Sequence, residues 1–259
     1  MTAVTQTGNV SFVSIHPSFS AILGPSPAVT WGIEDPEGRP TFHEACVYNP
    51  ATKSVFASSN RLFGPDDQQS ITLTQIFDND DPASVSAQKV TPADLVFANG
   101  GFNYKTGLVF CTQGNSANDL PGGVVYMPDP SSPMEVEYLV SSFQNRSFNS
   151  PNDVIVNPQD GSIWFTDPAY GFPQKFRPPP ELPNQVYRFD PETKSIRAVA
   201  DGFVRPNGLC LSQDLKLLYV TDTGAINGAA DIPFDKTGPA SIYAFDVLNT
   251  PNGFKPLPN

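Results

Sequence analysis

Basic side chains are scarce in this chain. Fifteen Lys and Arg stand against 26 Asp and Glu, a formal charge of −11. Phosphate recognition needs clustered Lys and Arg, and none cluster here, so nucleic acid and anionic membrane are excluded as partners while a cation suits the charge. Histidine occurs only at His16 and His43, too few for a classical zinc site or a His-based triad. The three cysteines, Cys46, Cys111 and Cys210, are odd in number and far apart, which fits buried thiols in a reducing compartment better than a disulfide framework. No apolar run approaches the roughly 18 residues of a membrane span. Met1 to Asn9 lacks the basic and apolar regions of a signal peptide, so a cytoplasmic protein is expected.

Turn and strand material is abundant. Aromatics at 11%, 28 Pro and 19 Gly suit many short strands broken by turns, and 259 residues without a linker suggest one β-rich body. The stretch SPNDVIVNPQDGSIWFTDPAYG, from Ser150 to Gly171, displays the unit. Asn152 and Asp153 lead into an apolar strand, Val154 to Val156. Asn157-Pro158-Gln159-Asp160-Gly161 supplies hairpin chemistry, and Ser162 to Thr166 forms a second strand that ends at Asp167.

The unit recurs. Pro151-Asn152-Asp153-Val154 matches Pro206-Asn207-Gly208-Leu209, Phe165-Thr166-Asp167 matches Val220-Thr221-Asp222, and Val186 to Asp190 matches Ile242 to Asp246. HEACVYNPATKSVFASSN, from His43, is a first copy, followed by a strand at Ile71 to Phe77. NGGFNYKTGLVFCTQGN, from Asn99, is a looser second copy. Val10 to Val13 and Phe19 to Leu23 are short apolar segments outside the repeat. Units of about four short antiparallel strands cannot bury both faces alone, so an all-β fold with units stacked radially as β-propeller blades is expected, a β-sandwich being the alternative. One period of 55 beyond Asn207 falls near 262, just past Asn259. Either four blades close the ring or a larger ring lacks blades in this chain.

In such a ring, the loops leading into the innermost strands converge at one end of the channel. The equivalent positions are Glu44, Asn152 and Asn207, with Asn99 or Asn103 from the second copy. These hard oxygens suit Ca²⁺ or Mg²⁺ rather than thiophilic metals. An Asn or Asp before a strand is also a common turn residue; repetition in register is what favours a shared centre. One carboxylate and two amides make a poor cage, so another acidic ligand is called for. Asp167 and Asp222 are expected to be structural caps far from these loops, and Trp164, Phe165, Tyr187 and Tyr243 to be blade core. Strand alternation turns His43 away from Glu44. Gly100-Gly101 is too short to be a phosphate loop.

HEACVY, SPNDVIVNPQDGSIWFTDPAYG and RPNGLCLSQDLKLLYVTD resemble the signature segments of the gluconolactonase, regucalcin and paraoxonase-like superfamily, especially its fungal lactonohydrolases. The likeness runs from about Phe42 to Pro258. It implies a six-bladed propeller over residues 1–259 with about four blades visible and the C-terminal ones missing. It also implies a divalent cation at the channel mouth, Ca²⁺ or another such as Mg²⁺, Mn²⁺ or Zn²⁺, and hydrolysis of a small-molecule lactone. By the same resemblance Glu44, Asn152 and Asn207 hold the metal, and Glu44 and Asn152 serve catalysis. Asn103 and Asp153 are candidate substrate or second-ion contacts, although Ala45 stands where relatives with a second ion carry an acid. The family's last ligand, an Asp also proposed as the base, lies beyond the end of this chain. Two alternatives stay open: a non-hydrolytic binding propeller, and an isomerase or cyclase of fungal metabolism.

Overall fold

In a computed structural model, residues 38–77, 85–229 and 232–247 are described, together with Ser18, Ala21 and Asp35. The apolar segment at Val10 to Val13, and that at Phe19 to Leu23 apart from Ala21, lie outside the described residues. Within 38–247, the described helical pieces are two single 3-10 turns, Pro65–Asp67 and Ser116–Asn118. No helix among the described residues is long and apolar enough to cross a membrane. Everything else regular is antiparallel strand.

Four sheets follow one another along the chain. The first is β1 (Glu44–Asn49), β2 (Ser54–Ser58), β5 (Leu73–Phe77) and β6 (Ser86–Val90), hydrogen-bonded in that order. Between β2 and β5 the chain leaves the sheet to form a small hairpin, β3 (Leu62–Phe63) with β4 (Gln69–Ser70). The second sheet is β7 (Ala98–Tyr104), β8 (Gly107–Thr112), β9 (Gly123–Met127) and β10 (Glu137–Val140). A second small hairpin, β11 (Ser142–Phe143) with β12 (Arg146–Ser147), leads to the third: β13 (Val154–Val156), β14 (Ile163–Asp167), β15 (Gln185–Asp190) and β16 (Ser195–Ala200). The fourth has three described strands, β17 (Pro206–Leu211), β18 (Leu217–Asp222) and β19 (Ser241–Asp246). All four units expected from the repeat are present as up-and-down sheets. Their first strands neighbour one another in order, β1 beside β7, β7 beside β13 and β13 beside β17.

The turns form where the sequence places them. Asn49 Oδ1 accepts the Thr52 N–H at 3.0 Å and closes the β1–β2 turn, the self-capping that makes Asn-Pro a turn signal. In the β13–β14 turn, Asp160 Oδ1 accepts the Ser162 N–H at 2.9 Å and Gly161 takes φ +69°, left-handed backbone that a glycine adopts without strain.

Period-2 alternation explains how the sheets stack. On β8, Leu108 and Phe110 join Val47, Phe56 and Leu73 in the core between the first and second sheets, while Val109 and Cys111 join Val154, Phe165 and Tyr187 between the second and third. On β14, Ile163 and Phe165 face the second sheet and Trp164 faces the fourth, beside Leu209, Leu218 and Val220. Each middle strand thus serves two cores. Burying a side chain the size of Phe110 or Phe165 is worth about 2–3 kcal/mol. Trp164, Phe165 and Tyr187 are core as expected. Tyr243 is not: it packs edge-on against Phe203, with ring centroids 5.6 Å apart, yet stays 42% exposed on the last described strand. The cysteines also depart from expectation. All three are free and Cys111 is buried, but Cys46 and Cys210 are exposed, because both lie at outward positions of first strands.

Candidate functional site

The leading loops carry a shared distortion. In β1 the register shifts between Glu44 and Val47, in β7 between Ala98 and Gly101, and in β17 between Pro206 and Leu209. In β1 the bulge places Ala45 and Cys46 at φ +64° and +49°. Bulges re-aim side chains at the ends of strands, and here Glu44, Asn99 and Asn207 all come to line one cavity, with Asn152 from just before β13. The cavity is about 340 Å³. One donor residue thus comes from each of the four sheets.

Neighbouring sheets hold these loops. Ser58 Oγ donates to Asn99 O at 3.1 Å, the Gly100 N–H to Asn152 O at 2.7 Å, and Thr166 Oγ1 to Asn207 O at 2.7 Å. A Cβ on Gly100 would lie 2.4 Å from Asp153 Oδ1 and 2.8 Å from Asn152 O, so this glycine is what lets the second and third sheets close. Across the mouth, Arg61 Nη2 donates to Gly228 O at 2.7 Å and Gln69 Nε2 to Gln174 O at 2.9 Å, tying the β3–β4 hairpin to loops of the fourth and third sheets.

The donors face inward without being satisfied by the protein. Asn99 and Asn152 are 7% and 5% exposed, and the Oδ1 of each is buried with no hydrogen-bond partner. Asn207 Nδ2 donates to Tyr170 Oη at 3.2 Å and to Thr223 Oγ1 at 3.5 Å, which leaves its Oδ1 for the cavity. Burial raises the pKa of Glu44 above its ordinary value, because its charged form loses solvation it has in water. A third unpartnered buried oxygen, Asn149 Oδ1, belongs to the loop ahead of β13, where the Asn149 amide donates to Leu182 O at 3.1 Å.

Several expectations are corrected. His43 lines the cavity, with Nε2 3.7 Å from Glu44 Oε1; it precedes the first residue of β1, so strand alternation does not part the two side chains. Burial holds the His43 pKa below its ordinary value. Asn103 does not line this cavity. Its amide donates to Tyr48 O at 3.0 Å on an exposed part of β7, beyond the bulge. Asp153 sits in the seam between the third and fourth sheets, Oδ1 accepting the Val154 N–H at 2.9 Å and Oδ2 the Leu209 N–H at 3.0 Å. Burial raises its pKa to about 6, against those two bonds, with a further push from Glu44.

Asp167 and Asp222 are structural caps but not remote ones. An antiparallel second strand returns to the end where the first began, so both carboxylates lie under the leading loops. Asp167 accepts the N–H groups of Asn149 (2.9 Å) and Ser150 (2.8 Å), and Asp222 those of Val204 (2.9 Å) and Arg205 (2.8 Å). Arg177 reinforces the first loop by donating to Asn149 O at 3.0 Å and Phe148 O at 2.9 Å. Thr223 had no signal of its own in the sequence and Tyr170 stands out there only as an aromatic of a variable loop, since both follow the paired Asp residues in loops that the repeat does not conserve in length.

Residues 40–240 match the family described as the SMP-30/Gluconolactonase/LRE-like region. The lactonohydrolase oryL of Aspergillus oryzae is 32% identical over 244 residues, covering 88% of this chain and 52% of that protein. The lactonohydrolase oryH of the same organism is 26% identical, covering 88% and 60%. Among solved structures, a gluconolactonase from Xanthomonas campestris superposes with a TM-score of 0.59 at 26% identity, over 80% of this chain and 59% of that one. The chain therefore spans little more than half the length of these relatives.

Proposed function

Because the chain belongs to the SMP-30/gluconolactonase/LRE-like family, we propose that it supplies the cation-holding face of a lactone hydrolase. Its four sheets are read as four blades of a six-bladed propeller. The observation that carries the reading is the pair of buried, unpartnered carboxamide oxygens, Asn99 Oδ1 and Asn152 Oδ1. A buried acceptor left without a donor costs about 1–3 kcal/mol, and a hard cation removes that cost.

The residues fit such an ion. Glu44 supplies the charge, and Asn99, Asn152 and Asn207 supply neutral oxygens around the same cavity. An all-oxygen set of this kind suits Ca²⁺ first, ahead of Mg²⁺, Mn²⁺ or Zn²⁺. When bound, the cation would polarise a lactone carbonyl and stabilise the oxyanion. The chain's own residues orient and move protons. His43, whose pKa burial lowers, stands beside Glu44 and is the group to take a proton at Nε2 from an attacking water. The water oxygen bonds to the carbonyl carbon, the ring C–O bond breaks, and the proton held at Nε2 passes to the departing ring oxygen, leaving a hydroxy acid. The cavity volume of about 340 Å³ accommodates a small-molecule lactone.

Calcium titration by calorimetry, paired with hydrolysis of a lactone panel in isotopically labelled water, tests the reading. Binding that Glu44→Gln weakens by at least tenfold is expected for loss of a ligand charge, with solvent oxygen appearing in the acid. Rearranged products free of label would point to isomerisation instead. Calcium affinity and turnover both unaffected by Glu44→Gln would sink it. The same assay separates a second reading, a non-hydrolytic binding protein; among the described residues no three His, Cys, Asp or Glu cluster, so the cation reading rests on the carboxamide oxygens. Calcium binding without turnover of any lactone would support that alternative.

A further inference from the structure

We propose that Tyr170 and Thr223 are positioning residues that fix which end of the Asn207 carboxamide faces the cavity. The inference rests on the cation reading above. A carboxamide is a ligand only through its oxygen; turned by half a rotation, it presents two N–H donors to the same point and repels a cation. Its orientation is therefore a functional variable.

The hydrogen bonds around Asn207 have one consistent polarity. Arg205 O is a backbone carbonyl and can only accept; Thr223 Oγ1 donates to it at 3.5 Å. With the Thr223 proton so placed, the hydrogen bond that joins the Tyr170 and Thr223 hydroxyls runs from tyrosine to threonine. That leaves the Tyr170 oxygen as an acceptor, and Asn207 Nδ2 donates to it at 3.2 Å. The order is Asn207 N–H to Tyr170 O–H to Thr223 O–H to Arg205 C=O, a carbonyl that also accepts the Thr223 N–H at 3.0 Å. Oδ1 is left pointing into the cavity.

The other end of the residue is held as well, since Thr166 Oγ1 donates to the Asn207 carbonyl at 2.7 Å. Backbone and side chain are thus set by separate hydroxyls. Tyr170 itself is buried, only 7% exposed, with the Arg205 guanidinium 5.9 Å from its ring centroid, so its hydroxyl has little freedom to seek another partner. Tyr170 follows β14, whereas Asn207 lies in β17 and Thr223 directly follows β18, which makes the orientation of a fourth-sheet ligand depend on the third sheet.

The test uses the 259-residue chain and calcium alone as the probe. Tyr170→Phe removes the acceptor while keeping the ring. It is expected to weaken calcium binding about five- to tenfold by calorimetry, the equivalent of about one neutral hydrogen bond's bias on the amide, with an unchanged melting curve in calcium-free buffer. Thr223→Val is expected to act in the same direction. The discriminating measurement is rescue. In Tyr170→Phe/Asn207→Asp, a carboxylate presents oxygen in either orientation, so affinity should return to that of Asn207→Asp alone. A purely structural role for Tyr170 predicts no rescue. Parental calcium affinity in Tyr170→Phe, or a double variant as weak as Tyr170→Phe, overturns the inference while leaving the cation reading standing. If the parent chain takes up no calcium, the cation reading falls and this inference falls with it.

Discussion

Asp167→Asn isolates the clamp beneath the third leading loop. Asp167 is fully buried, and its two oxygens accept the Asn149 and Ser150 N–H groups at 2.9 and 2.8 Å. Burial raises its pKa to about 7, although the two N–H groups and the Arg177 charge pull the other way. A folded value above the unfolded one of about 4 means that folding favours the protonated acid. That contribution is therefore fully present below pH ~4 and is lost as the pH rises through 7. At about 1.4 kcal/mol per unit, the loss between pH 5 and pH 8 is roughly 2–3 kcal/mol. Asparagine keeps the shape but does not titrate, and its amide N–H₂ meets one of the two backbone donors, a mismatch of about 1–3 kcal/mol. Urea unfolding of both proteins, followed by tryptophan fluorescence, should find the variant less stable at both pH values. The gap should be wider at pH 5 than at pH 8 by roughly 2–3 kcal/mol. An equal gap at the two pH values refutes the assignment of a raised pKa to Asp167.

Gly100→Ala should lower the melting temperature and weaken calcium uptake together, because the new Cβ would meet Asp153 Oδ1 at 2.4 Å and Asn152 O at 2.8 Å; a cost of about 1–3 kcal/mol is expected for such overpacking, and a neutral substitution would show that the seam yields. Asn103→Ala should leave calcium affinity unchanged in calorimetry, since Asn103 is bonded to Tyr48 O away from the cavity. With a thiol reagent on the native protein, Cys46 and Cys210 should react and Cys111 should not until urea is added; a fast third thiol would contradict the burial of β8.

The repeat was legible because every unit is assembled from the same parts in the same order, a loop residue, an apolar strand, a turn and a second strand. Glu44, Asn152 and Asn207 could be aligned without any knowledge of the fold, and the structure brings all three to one cavity, with Asn99 as the fourth. What alternation could not supply was the bulge. In β7 it separates Asn99, within the slip, from Asn103 behind it, while His43 meets Glu44 because it precedes β1 and escapes strand alternation. The placing of Asp167 and Asp222 far from the loops failed for a simpler reason, that antiparallel strands return. Tyr170 and the β3–β4 hairpin lie in insertions between repeat strands, where local composition says that the chain turns but not where it goes.

The bonds from Ser58 to Asn99, Gly100 to Asn152 and Thr166 to Asn207 have in common that each donor-bearing loop is held by the sheet next to its own. The cavity mouth therefore works like the diaphragm of a camera. Its width is the sum of several small rotations between leaves, and no single leaf contains the dimension that matters. A change at a seam acts on the loop held there without altering a cavity-lining side chain. The spacing of the cavity oxygens therefore depends on Ser58 and Thr166, neither of which lines the cavity.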